Sequence, residues 1–166
     1  STIICNGIKD REFINLAILS LKIGFKTILV LESPRELDLI IKVSQELNVK
    51  PLLGIRVKLT NKVSGNWSQS SGDRSAFGMS VEQVMKVIKK LKSYNYLDCL
   101  VLQHSHLGSQ IPDIIEIRKA SQEACRFYSE MSKLGAPLEY LDLGGGLGVD
   151  YTGEQKSSLN SINYSL

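Results

Sequence analysis

The chain's only two histidines stand two residues apart in HSHLGSQ, residues 104–110, and three consecutive glycines stand in LDLGGGLGVDY, residues 141–151. His104 and His106 at that spacing project to one side of an extended strand. The turns after them, Gly108-Ser109 and Gly144-Gly145-Gly146, present backbone without side chains. Bare N–H groups of this kind suit a phosphate, since nothing blocks its approach to several donors at once. A glycine-rich turn that merely allows tight packing is the competing explanation. Two familiar phosphate motifs are excluded. A dinucleotide fingerprint starting at Gly144 needs Gly or Ala where Val149 stands, and a Gly-Lys-Ser/Thr P-loop is absent. A metallohydrolase built on His104 and His106 would need further histidines, and the sequence has none.

Five strand signals must position these residues: Thr2–Cys5, Thr27–Leu31, Leu52–Leu59, Cys99–His106 and Leu138–Leu143. They are short, rich in Ile, Leu and Val, and mostly continuous rather than alternating, as in parallel strands covered on both faces. Amphipathic helices lie between them. One shows Phe13, Leu16, Ala17 and Leu21 on one face and stops at Gly24. Ser33-Pro34-Arg35-Glu36 combines a capping box with proline at the first helical position, ahead of Leu37, Ile40 and Ile41. Ser80 and Gln83 repeat the box before Val84, Met85, Ile88 and Leu91. Asp113 with Glu116 opens a longer helix carrying Ile117, Ala120, Ala124, Phe127, Met131 and Leu134, and Gly135 ends it.

Alternating units of this kind predict an α/β fold with a parallel sheet, either doubly wound or a closed eight-stranded barrel. If the fold is a (β/α)8 barrel of the TIM type, the chain supplies about five of its eight parallel β-α units. The chain opens directly on a strand and ends on SINYSL without a stop signal, so both ends are expected to be cut. The single long connection, Asn61–Ala76, is Ser/Gly-rich and joins a strand to a helix, where active-site loops of such folds belong.

Composition narrows the class further. Hydrophobic residues make up 43% and charged residues 22% of 166 residues, which suits one domain with a real core. The net charge of +3 comes from scattered basic residues, which gives no footprint for nucleic acid. No apolar run approaches a membrane span. Cys5, Cys99 and Cys125 form no CxxC pair and are expected to be buried thiols in a reducing compartment, the cytoplasm.

With these residues in view, the chain resembles the biosynthetic arginine decarboxylase family. The stretches ICNGIKD (4–10), GIRVKL (54–59), SGNWSQSSGDRSAFGMS (64–80), LDCLVLQHSHLGSQI (97–111) and LDLGGGLGVDY (141–151) carry the resemblance, in order and over essentially the whole chain. The family belongs to the pyridoxal 5'-phosphate enzymes with an alanine-racemase-like barrel, alongside ornithine and diaminopimelate decarboxylases. The resemblance therefore implies that residues 1–166 form the central part of a cofactor-binding TIM-barrel domain. It implies decarboxylation of L-arginine to agmatine, for polyamine synthesis, in a homo-oligomer built from dimers. It allows Mg2+ as an accessory ion and assigns it no site.

The resemblance also distributes roles. His106 would lie against the cofactor ring, and Arg56 would approach the ring beside it. Ser109 with the backbone of Gly144, Gly145 and Gly146 would hold the phosphate. The whole segment Leu141, Asp142, Leu143, Gly144, Gly145, Gly146, Leu147, Gly148, Val149, Asp150 and Tyr151 would serve substrate binding. The lysine that anchors the cofactor covalently would precede residue 1, and the acidic partner of the ring nitrogen would follow residue 166. One departure is visible: the family reads Lys-Phe-Gly where this chain has Ala76-Phe77-Gly78, which puts dimer contacts in doubt, although Arg74 is a candidate substitute. The alternatives are a related decarboxylase of the same barrel and a non-catalytic cofactor-binding protein.

Overall fold

The computed structural model describes residues 1–60, 78–149 and 162–164. Five strands and four helices alternate: β1 (Thr2–Cys5), α1 (Arg11–Lys22), β2 (Lys26–Leu31), α2 (Pro34–Leu47), β3 (Leu52–Arg56), α3 (Val81–Ser93), β4 (Leu100–His104), α4 (Ile114–Lys133) and β5 (Tyr140–Asp142). All four strand pairings are parallel, and the spatial order β1-β2-β3-β4-β5 is the sequence order. That order decides between the two predicted architectures. A doubly wound sheet reverses direction at a switch point, whereas a barrel adds each strand beside the last. The fold is a partial (β/α)8 barrel. The Ser/Gly-rich connection Asn61–Ala76, including Arg74 and Ala76, lies outside the described residues.

Local sequence accounts for the helix boundaries. The Asp10 carboxylate accepts the Phe13 N–H at 2.8 Å and caps α1. The Ser33 N–H donates to Glu36 Oε2 at 3.3 Å, and Pro34 occupies the first turn of α2, where its missing N–H costs nothing. Ser80 and Gln83 form the reciprocal box, 3.0 Å and 3.4 Å, that opens α3. Asp113 caps Ile115 N–H at 2.8 Å to start α4.

The main core lies between the sheet and the helices and joins Leu29, Leu31, Leu53 and Ile55 to Leu37, Ile40, Val84, Ile88 and Leu91. A smaller cluster, Ile28, Val30 and Leu102, packs on the other, inner face. Three expectations are corrected. In α1 the buried residues are Ile14, Ala17 and Ile18, while Phe13 and Leu16 are 45% and 69% exposed. The helix is apolar around most of its circumference, so its periodicity supports two stripes one residue apart, and packing selects the second. Cys125 is exposed, because it sits about 100° from the Ala120–Ala124–Met131 stripe of α4. Cys5 and Cys99 are buried, but Cys99 lies in a short 3-10 turn (Leu97–Cys99) before β4 rather than in the strand.

A bulge between Leu53 and Gly54 sets the geometry that follows. Leu53 pairs with Leu100, but Gly54 pairs with Leu102, so β4 carries one extra residue. An extra residue reverses which side chains face which side of the sheet. The bulge brings Leu102 and His104 onto the same face as Gly54 and Arg56.

Candidate active site

Each inner-face position that ends the apolar layer is followed, two residues on, by a polar side chain at the carboxyl end of its strand. Val30 gives way to Glu32, Gly54 to Arg56, Leu102 to His104, and Tyr140 to Asp142. Arg56, His104 and Asp142 are register partners across β3, β4 and β5, so they stand side by side at one level. This is the end of the sheet at which parallel α/β folds bind ligands.

The layer is internally paired. Arg56 Nη1 donates to Glu32 Oε2 at 3.1 Å and Oε1 at 3.3 Å. His104 Nδ1 lies 2.9 Å from Asp142 Oδ2, and among the described residues that buried nitrogen makes no hydrogen bond. The other Asp142 oxygen accepts the Gly144 N–H at 2.8 Å, and the Asp142 carbonyl accepts the Ser105 N–H at 2.8 Å. Asp142 thereby fixes the start of the glycine turn against β4.

The turn has two kinds of glycine. Gly144 and Gly146 have positive φ, +68° and +113°, and each is pressed against the loop after β4. A Cβ on Gly144 would stand 3.2 Å from His106 Nδ1 and 3.3 Å from His104 Cε1, so both histidines converge on this residue. A Cβ on Gly146 would stand 2.6 Å from the Gly108 carbonyl carbon and closer still to its oxygen. Part of the glycine requirement is therefore intramolecular packing, the competing explanation raised by the sequence. Gly145 differs: a Cβ there would meet nothing within 4 Å. Among the described residues, no acceptor takes the N–H of Gly145, Gly146 or Ser109. An open space bordered by uncommitted donors, with half-buried Ser109 on the facing turn, fits the phosphate of a cofactor.

Both imidazoles are held below their ordinary pKa. For His104 burial is the main cause, opposed by Asp142; for His106 burial is again first, reinforced by Arg56 and His104. A histidine depressed on folding gives the unfolded chain the greater proton affinity, so stability rises with pH. The contribution is complete above the unfolded value, near 6.5, and is lost as pH falls through the lower folded values. In the full-length protein, acid should lower the thermal midpoint below about pH 6.5, and His104→Gln should flatten that slope. An unchanged slope in the variant would show that other groups drive the acid sensitivity. Burial raises the Cys5 pKa and pushes Cys99 up to about 12, so neither is a ready nucleophile.

The remaining predicted site residues divide by face. Leu141 and Leu143 pack toward Leu107, Ile111 and Ala124, beneath the turn. Leu147 and Val149 are exposed, and the buried Gly148 donates its N–H to Tyr164 at 2.6 Å. Asp150 and Tyr151 lie outside the described residues. Sequence motifs give no site role to Glu32 or Lys9, and mark Glu36 only as a helix-capping residue. Glu32 had a signal: it continues the alternation Ile28, Val30, Glu32 at a strand end. A groove lined by Pro34, Asp38, Lys86 and Lys90 lies between α2 and α3, on the helix side, away from this layer.

A partial (β/α)8 barrel whose strand ends carry a glycine cradle and a histidine with a pKa lowered by burial has the make-up of a phosphate-cofactor-binding domain. The chain belongs to the pyridoxal-dependent decarboxylase family, and the model of that family's pyridoxal-binding domain matches residues 1–166. A biosynthetic arginine decarboxylase of Prochlorococcus marinus (strain MIT 9215) is 50% identical over all of this chain and 26% of its own length. The crystal structure of the biosynthetic arginine decarboxylase of Campylobacter jejuni superposes with a TM-score of 0.82 at 35% identity, over 99% of this chain and 25% of the other. A Helicobacter pylori diaminopimelate decarboxylase follows at 0.75 and 27%, over 96% of this chain and 39% of the other. The chain thus spans about a quarter of the length of the arginine decarboxylases it matches.

Proposed function

We propose that residues 1–166 are the central part of the cofactor domain of an enzyme that decarboxylates L-arginine to agmatine and carbon dioxide. The observation that carries the cofactor assignment is the cradle at Gly144–Gly146, opposed by Gly108-Ser109 and flanked by His106. The identity shared with arginine decarboxylases supports the substrate. The likeness to the diaminopimelate enzyme is lower and supports the fold and cofactor rather than a second substrate.

Pyridoxal phosphate, when bound, supplies an electron-accepting ring for the electrons left as the α-carboxylate departs. The chain's own residues hold and orient. The N–H groups of Gly145 and Gly146, with Ser109, bind the phosphate. The His106 imidazole, whose pKa burial and Arg56 lower, would lie against the ring and favour the uncharged form there. Arg56 borders the ring from β3. The family resemblance supports a substrate-binding role for the segment Leu141–Tyr151, with Asp150 and Tyr151 as candidates for the guanidinium end. The full protein acts as a homo-oligomer based on a dimer, in the cytoplasm. No helix among the described residues is long and apolar enough to cross a membrane.

The test is kinetic. In the full-length enzyme, His106→Ala should lower turnover on arginine at least about tenfold, equivalent to roughly 1.4 kcal/mol of transition-state stabilisation. Wild-type turnover in that variant would remove His106 from the site. Faster carbon dioxide release from ornithine or diaminopimelate than from arginine would reassign the substrate.

A further inference from the structure

Three charged residues are buried beyond the ends of β1 and β2, Lys9, Glu32 and, in the first turn of α2, Glu36, at 5%, 4% and 8% exposure. Buried charge is costly unless it is paired and hydrogen-bonded, and these are. Glu36 Oε1 accepts both the backbone N–H and the ammonium of Lys9 at 3.2 Å. Glu36 Oε2 accepts the N–H of Glu32 at 2.6 Å and of Ser33 at 3.3 Å. The Lys9 ammonium also donates to the carbonyls of Val30, at 2.6 Å, and Gly7. The Lys9–Glu36 pair therefore ties the backbone after β1 to the backbone after β2.

Glu32 extends this framework toward the site. Its Oε1 accepts the Gly7 N–H at 2.9 Å, and both its oxygens accept from Arg56 Nη1. Two ion pairs, Lys9–Glu36 and Glu32–Arg56, joined through the Glu32 backbone N–H, thus lead from a loop on the rim to Arg56 in the inner layer beside His104. Stability alone does not explain four charges here, because apolar replacements of buried ion pairs are often neutral or stabilising. Direction does. Arginine has a long side chain with much rotamer freedom, and a carboxylate itself fixed by Gly7 holds the guanidinium in one place.

We propose that Glu32 is a positioning residue for Arg56, setting where the guanidinium meets the cofactor, and that the Lys9–Glu36 pair fixes the backbone on which Glu32 stands. The inference rests on the proposed approach of Arg56 to the cofactor. The test is a double-mutant cycle in the full-length protein freed of cofactor. It reads the Kd for pyridoxal phosphate by fluorescence titration, alongside each variant's thermal midpoint. Glu32→Gln, which removes the charge and keeps the shape, should raise Kd about tenfold, and Arg56→Met at least as much. If Glu32 acts through Arg56, the double variant should bind within about twofold of Arg56→Met alone. A merely structural role for Glu32 would instead cost the same factor in both backgrounds. Additive losses, or wild-type affinity in Glu32→Gln beside a weakened Arg56→Met, would overturn the proposal. Wild-type affinity in Arg56→Met is a different failure, because it removes Arg56 from the cofactor site itself. Should Glu32→Gln unfold at the assay temperature, Glu32→Asp keeps the charge on a shorter arm. It should show the same non-additivity with Arg56→Met, and additivity there would equally overturn the role.

Discussion

Gly146→Ala in the full-length protein is expected to lower affinity for pyridoxal phosphate by about a hundredfold or more. Gly145→Ala is expected to weaken binding while leaving the cofactor-free protein as stable as wild type. The contrast follows from what each Cβ would meet. At Gly146 an L side chain is strained by φ of +113°, at a cost of order 1–3 kcal/mol, and its Cβ would overlap the Gly108 carbonyl. That carbonyl is backbone and cannot swing aside. One of the two turns must move, and both turns border the phosphate space. The Gly146 carbonyl also accepts the Ile111 N–H at 2.8 Å, so displacement propagates into the loop after β4. A misplacement of about 1 Å at a binding constellation can cost on the order of a hundredfold. At Gly145 the added methyl meets no protein atom within 4 Å, so the empty protein has nothing to repack. The methyl would instead occupy space beside the uncommitted N–H groups. Cofactor titration and thermal denaturation of the two apoproteins separate these effects. Wild-type affinity in Gly146→Ala, or in Gly145→Ala, would move the phosphate to another part of the barrel.

The sequence carried the element order because each helix announces its own start. Ser33 with Glu36, Ser80 with Gln83, and Asp113 mark the starts of the helices they precede, and Asp10 caps α1 in the structure. Gly108, Ser109 and the triple glycine were legible for a related reason: backbone left bare is a local property. What was illegible is set by distant contacts. The stripe of α1 could not be chosen from its own residues, since only packing on the sheet decides between Phe13–Leu16 and Ile14–Ile18. The extra residue of β4 is visible only against β3, yet it is what brings His104 level with Arg56. The glycines showed that something approaches closely, but not that at Gly144 and Gly146 the neighbour is the chain itself. Glu36 was legible only as a capping residue, and its pairing with Lys9 was not, because that partnership spans 27 residues.

The 166-residue chain by itself is expected to release no carbon dioxide from arginine. Its sheet pairs β1 only with β2 and β5 only with β4 among the described residues, so each outer strand presents an unpaired edge. Unpaired edges and exposed apolar side chains favour association, and Phe13, Leu16, Ile23 and Phe25 are all exposed along α1 and the turn after it. Light scattering should accordingly rise with protein concentration. The chemistry fails for separate reasons. Lys9, carried just beyond β1, is committed to Glu36 and to the carbonyls of Gly7 and Val30, so it does not offer a covalent anchor. The resemblance places the anchoring lysine and the acidic partner of the ring nitrogen outside residues 1–166. Losing either would reduce the rate severely, and groups that act as one unit do not contribute independently. What remains is the cradle of Gly144–Gly146 with Ser109. The chain should therefore bind pyridoxal phosphate weakly, and inorganic phosphate should compete, because the retained contacts are to the phosphate. Carbon dioxide release from labelled arginine, above a control with cofactor alone, would show that the catalytic residues lie within this chain after all.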